Sequence, residues 1–464
     1  MTNNRFQYGL LRETKKVETY KRKGNLITMH PAQILVLGFG GLILLGTFLF
    51  MLPIATYEEG RGLSFIDALF EATSAVCVTG LAVVDTGTTF TLFGEIVLLS
   101  LIQVGGWGFM TTGIFMFIIL GKKIGLKERL LLQDSLNVFS LAGVVTLVKR
   151  IILITFIVEL IGATVLAIRW SFEMPLRKAI YYGIFHSISA FNNAGFGLEP
   201  DNLSKWVGDP TVNIAITSLF ITGGIGFTVI LDLWVKKSFR KLSLHSKVAL
   251  IMSLFLNIIG FLIILISEFS NSATIGNLAF EDKLWASYFQ GVVTRTAGFN
   301  TIDIGSMNLS SLVFMMALMF IGASPGSTGG GIKVTTFAII TLAFWAVVTN
   351  RDNVNLFKRR IPWELVNKSL SIVVAAIFFI FLIFFLLTFT EKADMSKLLF
   401  ETISAFGTVG LSANFTPELS PFGRVLITIM MFIGRLGPLT MAFALLNPRK
   451  EAKVKYAEEK ILIG

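Results

Sequence analysis

Four short segments of this chain have the residue types and spacing to hold a dehydrated cation with backbone oxygens. Each copy starts with an aromatic residue and ends ten positions later in glycine: Phe70 to Gly80 (FEATSAVCVTG), Phe185 to Gly195 (FHSISAFNNAG), Tyr288 to Gly298 (YFQGVVTRTAG) and Phe400 to Gly410 (FETISAFGTVG). Glycine adopts positive φ without the clash a Cβ brings, which lets the carbonyls before it turn inward. The oxygens would come from Cys77, Val78, Thr79 and Gly80; from Asn192, Asn193, Ala194 and Gly195; from Thr296, Ala297 and Gly298; and from Gly407, Thr408, Val409 and Gly410. None of these is Asp or Glu, so backbone carbonyls rather than a ring of carboxylates would replace the ion's water. Other chemistries lack their groups. Cys77 is the single cysteine, and His30, His186 and His245 are too scattered for metal-ligand spacing. A membrane-embedded transferase would need paired His, carboxylates or a metal site, and the sequence offers none.

A second constellation lies downstream of the third segment. Gly322-Ala323-Ser324-Pro325-Gly326-Ser327-Thr328-Gly329-Gly330-Gly331 places five glycines and a proline inside an apolar run. Glycine costs about 1 kcal/mol and proline about 3 kcal/mol relative to alanine in a helix, so a loop at membrane depth is expected here. A phosphate-binding loop is excluded because Ile332, not Lys, follows Gly331 and no βαβ context surrounds it. Two readings remain: a close-packed kink, or a gate that obstructs the path on the cytoplasmic side of the glycines. Arg435 stands well inside another apolar run, where an ionised side chain needs a cavity or a partner, and is expected to put positive charge beneath the glycines near the 322–331 loop. Arg295, beside the third segment, reads first as a structural tie for helix C-terminal carbonyls.

The elements that must position these residues are membrane helices. The chain has 464 residues, 54% hydrophobic and 15% charged, with a mean hydropathy of +0.74. Apolar runs recur from residue 31 to 446, leaving no stretch for a sizeable soluble domain. First helices are expected at about 31–52, 151–168, 248–267 and 369–390, and second helices at about 93–120, 211–233, 309–347 and 423–446. Between the members of each pair lies a segment too short to cross a hydrocarbon core of roughly 30 Å, which must dip in and return. Re-entrant backbone cannot face lipid, so four such segments are expected to line one path. The filter glycines are 115, 103 and 112 residues apart, and each precedes a second glycine site (Gly105-Gly106, Gly223-Gly224, Gly322, Gly434) by 24 to 28 residues.

Charge supplies the orientation. Of 40 Lys and Arg, 28 fall in the segments 1–29, 121–150, 235–247, 349–368 and 448–464, with only nine of the 29 acids. The positive-inside rule puts these segments in the cytoplasm, with Glu199, Asp201 and Asp209 outside. The start is polar before His30, so no cleavable signal is expected. The expected fold is an all-α integral membrane protein: four pseudo-symmetric repeats of helix, re-entrant pore helix and helix around one pore, with eight spanning helices and both termini cytoplasmic. Its parts are a basic N-terminus (1–29), repeat 1 (30–120), repeat 2 with its preceding cytoplasmic loop (121–233), repeat 3 with a broken second helix (234–347), repeat 4 (348–446) and a C-terminal tail (447–464). The net charge of +11 belongs to this topology and not to nucleic acid.

On Gly80, Gly195, Gly298 and Gly410, the segment Thr294-Arg295-Thr296-Ala297-Gly298-Phe299-Asn300-Thr301 and the break at Gly322 to Gly331, the chain resembles the membrane subunit of the Ktr/Trk/HKT superfamily of potassium transporters, most of all the bacterial Ktr type. The resemblance covers Pro31 to Leu446. It implies channel-like passage of K+ driven by membrane potential, with Na+ as a stimulatory or a coupling ion and no covalent cofactor. It further implies a plasma-membrane homodimer with one pore per subunit and a cytosolic ring of nucleotide-binding regulatory subunits.

Overall fold

The computed structural model describes residues 31–58, 60–119 and 144–446, with Ala457 and Glu459. The basic segments 1–29, 121–143 and nearly all of 448–464 lie outside the described residues. Four long apolar helices open the four repeats: α1 (Pro31–Phe50), α5 (Val144–Trp170), α9 (Leu244–Glu268) and α13 (Trp363–Thr390). At 20 to 28 residues each they can span a bilayer, and their exposed faces are apolar, as Phe378, Phe381, Phe385 and Phe389 on α13 illustrate. The second elements, α2 (Phe65–Cys77), α6 (Leu176–Phe191), α10 (Phe280–Val293) and α14 (Met395–Gly407), hold 13 to 16 residues. Helical rise makes them about 20–24 Å long, too short to cross. Phe70, Phe185 and Phe400, the aromatic starts of three sequence copies, are fully buried and anchor these half-helices in one continuous apolar core.

The third elements differ from expectation. All four second helices are broken, not only the third. They divide into α3 (Leu92–Trp107) and α4 (Phe109–Ile119), α7 (Pro210–Ile225) and α8 (Phe227–Lys236), α11 (Leu309–Phe320) and α12 (Val334–Val348), and α15 (Pro421–Leu436) and α16 (Pro438–Leu446). Three breaks are single glycines with positive φ: Gly108 at 82°, Gly226 at 99° and Gly437 at 88°. The α7–α8 pair bends by 94° and the α15–α16 pair by 100°. Their starts are capped as the sequence allows: Asp209 accepts from Thr211 N and Val212 N, Ser420 accepts from Gly423 N, and Pro210 and Pro421 occupy first-turn positions. The all-helical expectation also misses a small hairpin, β1 (Val354–Leu356) with β2 (Arg359–Ile361).

The repeats close into a ring. Tyr181 of repeat 2 donates to Glu95 of repeat 1, and Leu203 N of repeat 2 to Asn300 O of repeat 3 at 3.0 Å. Asn414 of repeat 4 donates to Asp303 of repeat 3 at 2.7 Å, and Arg424 of repeat 4 pairs with Asp67 of repeat 1. Two of the basic segments meet: Lys247 Nζ of 235–247 lies 5.7 Å from the Phe357 ring of the hairpin turn in 349–368.

Candidate functional site

The four half-helices end at the four glycine segments, and the glycines meet. Their φ values are 94°, 72°, 74° and 90° for Gly80, Gly195, Gly298 and Gly410. A Cβ on Gly80 would stand 2.3 Å from Ala194 O, one on Gly195 2.9 Å from Ala297 O, one on Gly298 2.6 Å from Val409 O, and one on Gly410 2.2 Å from Thr79 O. Each glycine therefore faces the carbonyl that precedes the glycine of the next repeat, in cyclic order. Two residues before each glycine the backbone is also left-handed: Val78 at 56°, Asn193 at 61°, Thr296 at 70° and Thr408 at 48°. This strained conformation recurs in all four repeats, at a β-branched residue in three of them. Alternating the sign of φ prevents successive carbonyls from pointing to opposite sides as they do in a strand. Cys77 and Gly407 are the last residues of α2 and α14, and the half-helix C-termini direct partial negative charge toward the ring. Asn192 stands apart, its amide turned away to Gln103 Oε1 and Glu159 Oε1, both at 3.1 Å.

The second glycine sites have a packing reason. A Cβ on Gly105 would lie 2.1 Å from Val76 O, on Gly223 1.9 Å from Phe191 O and on Gly434 2.0 Å from Phe406 O. These are equivalent carbonyls at the ends of three pore helices, so glycine is what lets α3, α7 and α15 approach them.

The 322–331 segment is a loop lying directly beneath the ring. Thr328 Oγ1 donates to Asn193 Oδ1 at 2.9 Å, Asn193 Nδ2 donates to Thr296 Oγ1 at 3.2 Å, and Gly330 N donates to Thr408 Oγ1 at 3.0 Å. A Cβ on Gly329 would meet Thr296 Oγ1 at 2.1 Å, and one on Gly330 would meet Thr408 Oγ1 at 2.3 Å. Ser324 N and Thr328 N donate to Gly224 O and Gly223 O at 3.0 and 3.2 Å, and Gly326 O accepts from Phe227 N at 2.9 Å. The break at Gly226 accounts for this, because ending a helix frees carbonyls that need donors. Gly322 N closes the loop on Ile332 O at 2.7 Å, and Ser327 Oγ donates to Ser324 O at 2.6 Å. Ala323 and Pro325 complete its first turn, and Gly331 takes φ 65°.

Arg435 and the loop are brought together. Its guanidinium donates to Thr328 O on the loop and to Gly105 O at the break in repeat 1, with Gly106 O at 3.5 Å. Arg295 does not tie its own helix's carbonyls as expected. It reaches across to Ser253 O and Oγ, Asn257 Oδ1 and Gly322 O.

Sequence reasoning missed two features. Lys333 donates to Gly329 O at 2.6 Å and Gly330 O at 3.3 Å, adding a second cation to the loop. Glu71 and Glu401, fully buried, hold the chain just beyond the ring: Glu71 Oε1 accepts from Val83 N at 2.8 Å, and Glu401 accepts from Ala413 N at 3.1 Å, Ser412 Oγ at 2.5 Å and Thr416 Oγ1 at 2.7 Å. The shared Phe-Glu opening of repeats 1 and 4, with acceptor and donor twelve residues apart in both, was the available signal.

Comparison with known proteins bears on what this arrangement does. Residues 2–453 match the TrkH family, described as cation transport protein. The chain is 49% identical over 438 residues to Ktr system potassium uptake protein B of Bacillus subtilis, covering 94% of this chain and 98% of the relative. It is 37% identical over 442 residues to the potassium/sodium uptake protein NtpJ of Enterococcus hirae, covering 94% and 98%. The crystal structure of the potassium transporter TrkH from Vibrio parahaemolyticus has the same fold, with a TM-score of 0.71 at 19% identity over 91% of this chain and 86% of that one.

Proposed function

Because the chain belongs to the TrkH family of cation transport proteins, we propose that it is the ion-translocating membrane subunit of a Ktr-type potassium uptake system. It is a multi-pass plasma-membrane protein. The observation that carries the reading is the cyclic meeting of four glycines with four carbonyls: Thr79 O, Ala194 O, Ala297 O and Val409 O surround one axis and exchange with the hydration shell of K+. Each broken helix pair counts as one crossing, which gives eight spans with both termini in the cytoplasm. Below the ring, the 322–331 loop and the Arg435 guanidinium obstruct cation exit, and their release opens the path. A cytosolic nucleotide-binding ring acts on the homodimer through its basic face to control that release. Sodium acts on this system as a stimulatory or a coupling ion.

With no ATP-binding motif in the chain, the driving force is the membrane potential, worth about 2.3 kcal/mol per charge per 100 mV, or roughly fifty-fold accumulation. The test is flux into vesicles holding the purified protein, with potassium exchanged for rubidium, sodium or choline under an imposed potential. Potassium and rubidium should pass and choline should not. Uptake that ignores the potential, or that admits choline, overturns the reading.

A further inference from the structure

Arg295 carries a charge that the conduction path does not explain. Its side chain is 8% exposed, and all of its hydrogen-bond partners are neutral: Ser253 O at 3.0 Å, Ser253 Oγ at 3.2 Å, Asn257 Oδ1 at 3.4 Å and Gly322 O at 3.5 Å. Among the described residues no carboxylate pairs with it, whereas Arg169 and Arg424 both have acidic partners. Its Nε–H is buried and has no acceptor. A guanidinium stays protonated at any physiological pH, and a buried charge without a counter-charge costs several kcal/mol. The negative end of α10 offsets part of this cost, but a helix terminus carries only about half a charge.

Beside the guanidinium is a cavity of about 20 Å3, walled by Phe220, Ile221 and Ile225 of α7, by Ser253 and Asn257 of α9, and by Ala323 of the loop. That is room for a single water molecule or one monatomic ion. Asn257 uses its Oδ1 on Arg295, so both amide hydrogens remain free; Ser253 Oγ accepts from Arg295, so its hydroxyl hydrogen remains free. Arg295 Nε–H is the third uncommitted donor, and the other walls are apolar. Three donors, one net positive charge and space for one atom fit a monatomic anion. A water there would leave the charge uncompensated.

We propose that the Arg295, Ser253 and Asn257 cavity is a binding site for a chloride-sized monovalent anion, set behind the third filter segment and against the first residues of the 322–331 loop. The site stands whether or not that loop acts as a gate. Crystals of the full chain grown in bromide in place of chloride test it by anomalous scattering at the bromine edge. A peak within hydrogen-bond reach of Arg295 Nε supports the site; density there with no anomalous signal overturns it. Asn257→Leu keeps side-chain shape and removes the amide group, both its free donors and the Oδ1 that accepts from Arg295. In thermal unfolding of detergent-solubilised protein, with gluconate holding ionic strength constant, the variant should need roughly tenfold more chloride than wild type for the same stabilisation. Should that variant fail to fold, Ser253→Ala removes a different donor and should shift the titration in the same direction. A wild-type midpoint equal in chloride and gluconate overturns the proposal.

Discussion

Replacing Arg435 with alanine should open the path. The guanidinium makes two charge-assisted hydrogen bonds, to Thr328 O on the loop and to Gly105 O on repeat 1, so it fastens the loop to a break in another repeat. Such bonds contribute about 1.5–3 kcal/mol each, and two of them favour the loop-under-ring arrangement by at least about 3 kcal/mol. At 1.36 kcal/mol per decade, their loss raises the population of the released arrangement about a hundredfold, until the loop is released most of the time. Arg435→Lys keeps the charge but presents one compact ammonium in place of a fork reaching two segments, so it should fall between wild type and alanine. The assay is rubidium uptake into vesicles under an imposed inside-negative potential, without the cytosolic partner, normalised to folded protein in the membrane. The ratio of potassium to sodium uptake should stay as in wild type, because the ring is built from other segments. An alanine variant that is well folded but carries no more flux than wild type would refute the latch, and a fall in flux would favour a packing role for the break.

Gly298→Ser should lose discrimination between potassium and sodium, since its φ of 74° is left-handed and a Cβ would stand 2.6 Å from Val409 O; sodium competition against rubidium uptake measures it, and unchanged competition would remove the glycine from the filter. Glu401→Leu should leave Ala413 N and Thr416 Oγ1 without their acceptor at about 1–3 kcal/mol each, lowering the unfolding midpoint by several degrees, while Glu401→Gln, which keeps an acceptor oxygen, should lose less. Arg424→Ala breaks a pair whose members are 21% and 22% exposed, so it should cost about 1 kcal/mol or less and leave rubidium flux within about twofold of wild type.

The residues that surround the axis were legible because backbone geometry made them so. A Cβ at any of the four positions would stand 2.2–2.9 Å from a neighbouring repeat's carbonyl, so only glycine fits, and four copies in register expose that requirement without any structure. The loop was legible for the opposite reason: five glycines and a proline cost too much to remain helical. The single-residue breaks at Gly108, Gly226 and Gly437 fell below that threshold, since one glycine in an apolar helix costs only about 1 kcal/mol. Their signal lay in Gly-Gly-Trp-Gly-Phe, Gly-Gly-Ile-Gly-Phe and Gly-Arg-Leu-Gly-Pro, where a second glycine follows the packing glycine by three residues in three repeats. Long-range partners were not legible. Nothing in the spacing of Arg295 and Ser253, 42 residues apart, announces their contact.

On the proposed function, the breaks explain how one repeated unit yields a one-sided obstruction. The packing glycine and the residue after it read Gly105-Gly106, Gly223-Gly224, Gly322-Ala323 and Gly434-Arg435 around the ring. In repeat 2 the broken helix leaves carbonyls at Gly223 and Gly224 without helical donors, and in repeat 1 Gly105 O keeps one bond, from Gly108 N at 3.2 Å, with a lone pair to spare. The thirteen residues between α11 and α12 in repeat 3 supply N–H groups to Gly223 and Gly224, and the fourth repeat supplies a guanidinium to Gly105. Acceptors on two repeats, a donor loop on the third and a cation on the fourth therefore meet at one register of the same unit. A fourfold-symmetric sequence could not build this closure: four loops would not fit beneath one ring, and four arginines would repel one another there. On the proposed function, divergence at this single register, with Gly80, Gly195, Gly298 and Gly410 retained above it, lets the path keep its fourfold coordination while its obstruction is assembled from four unlike parts.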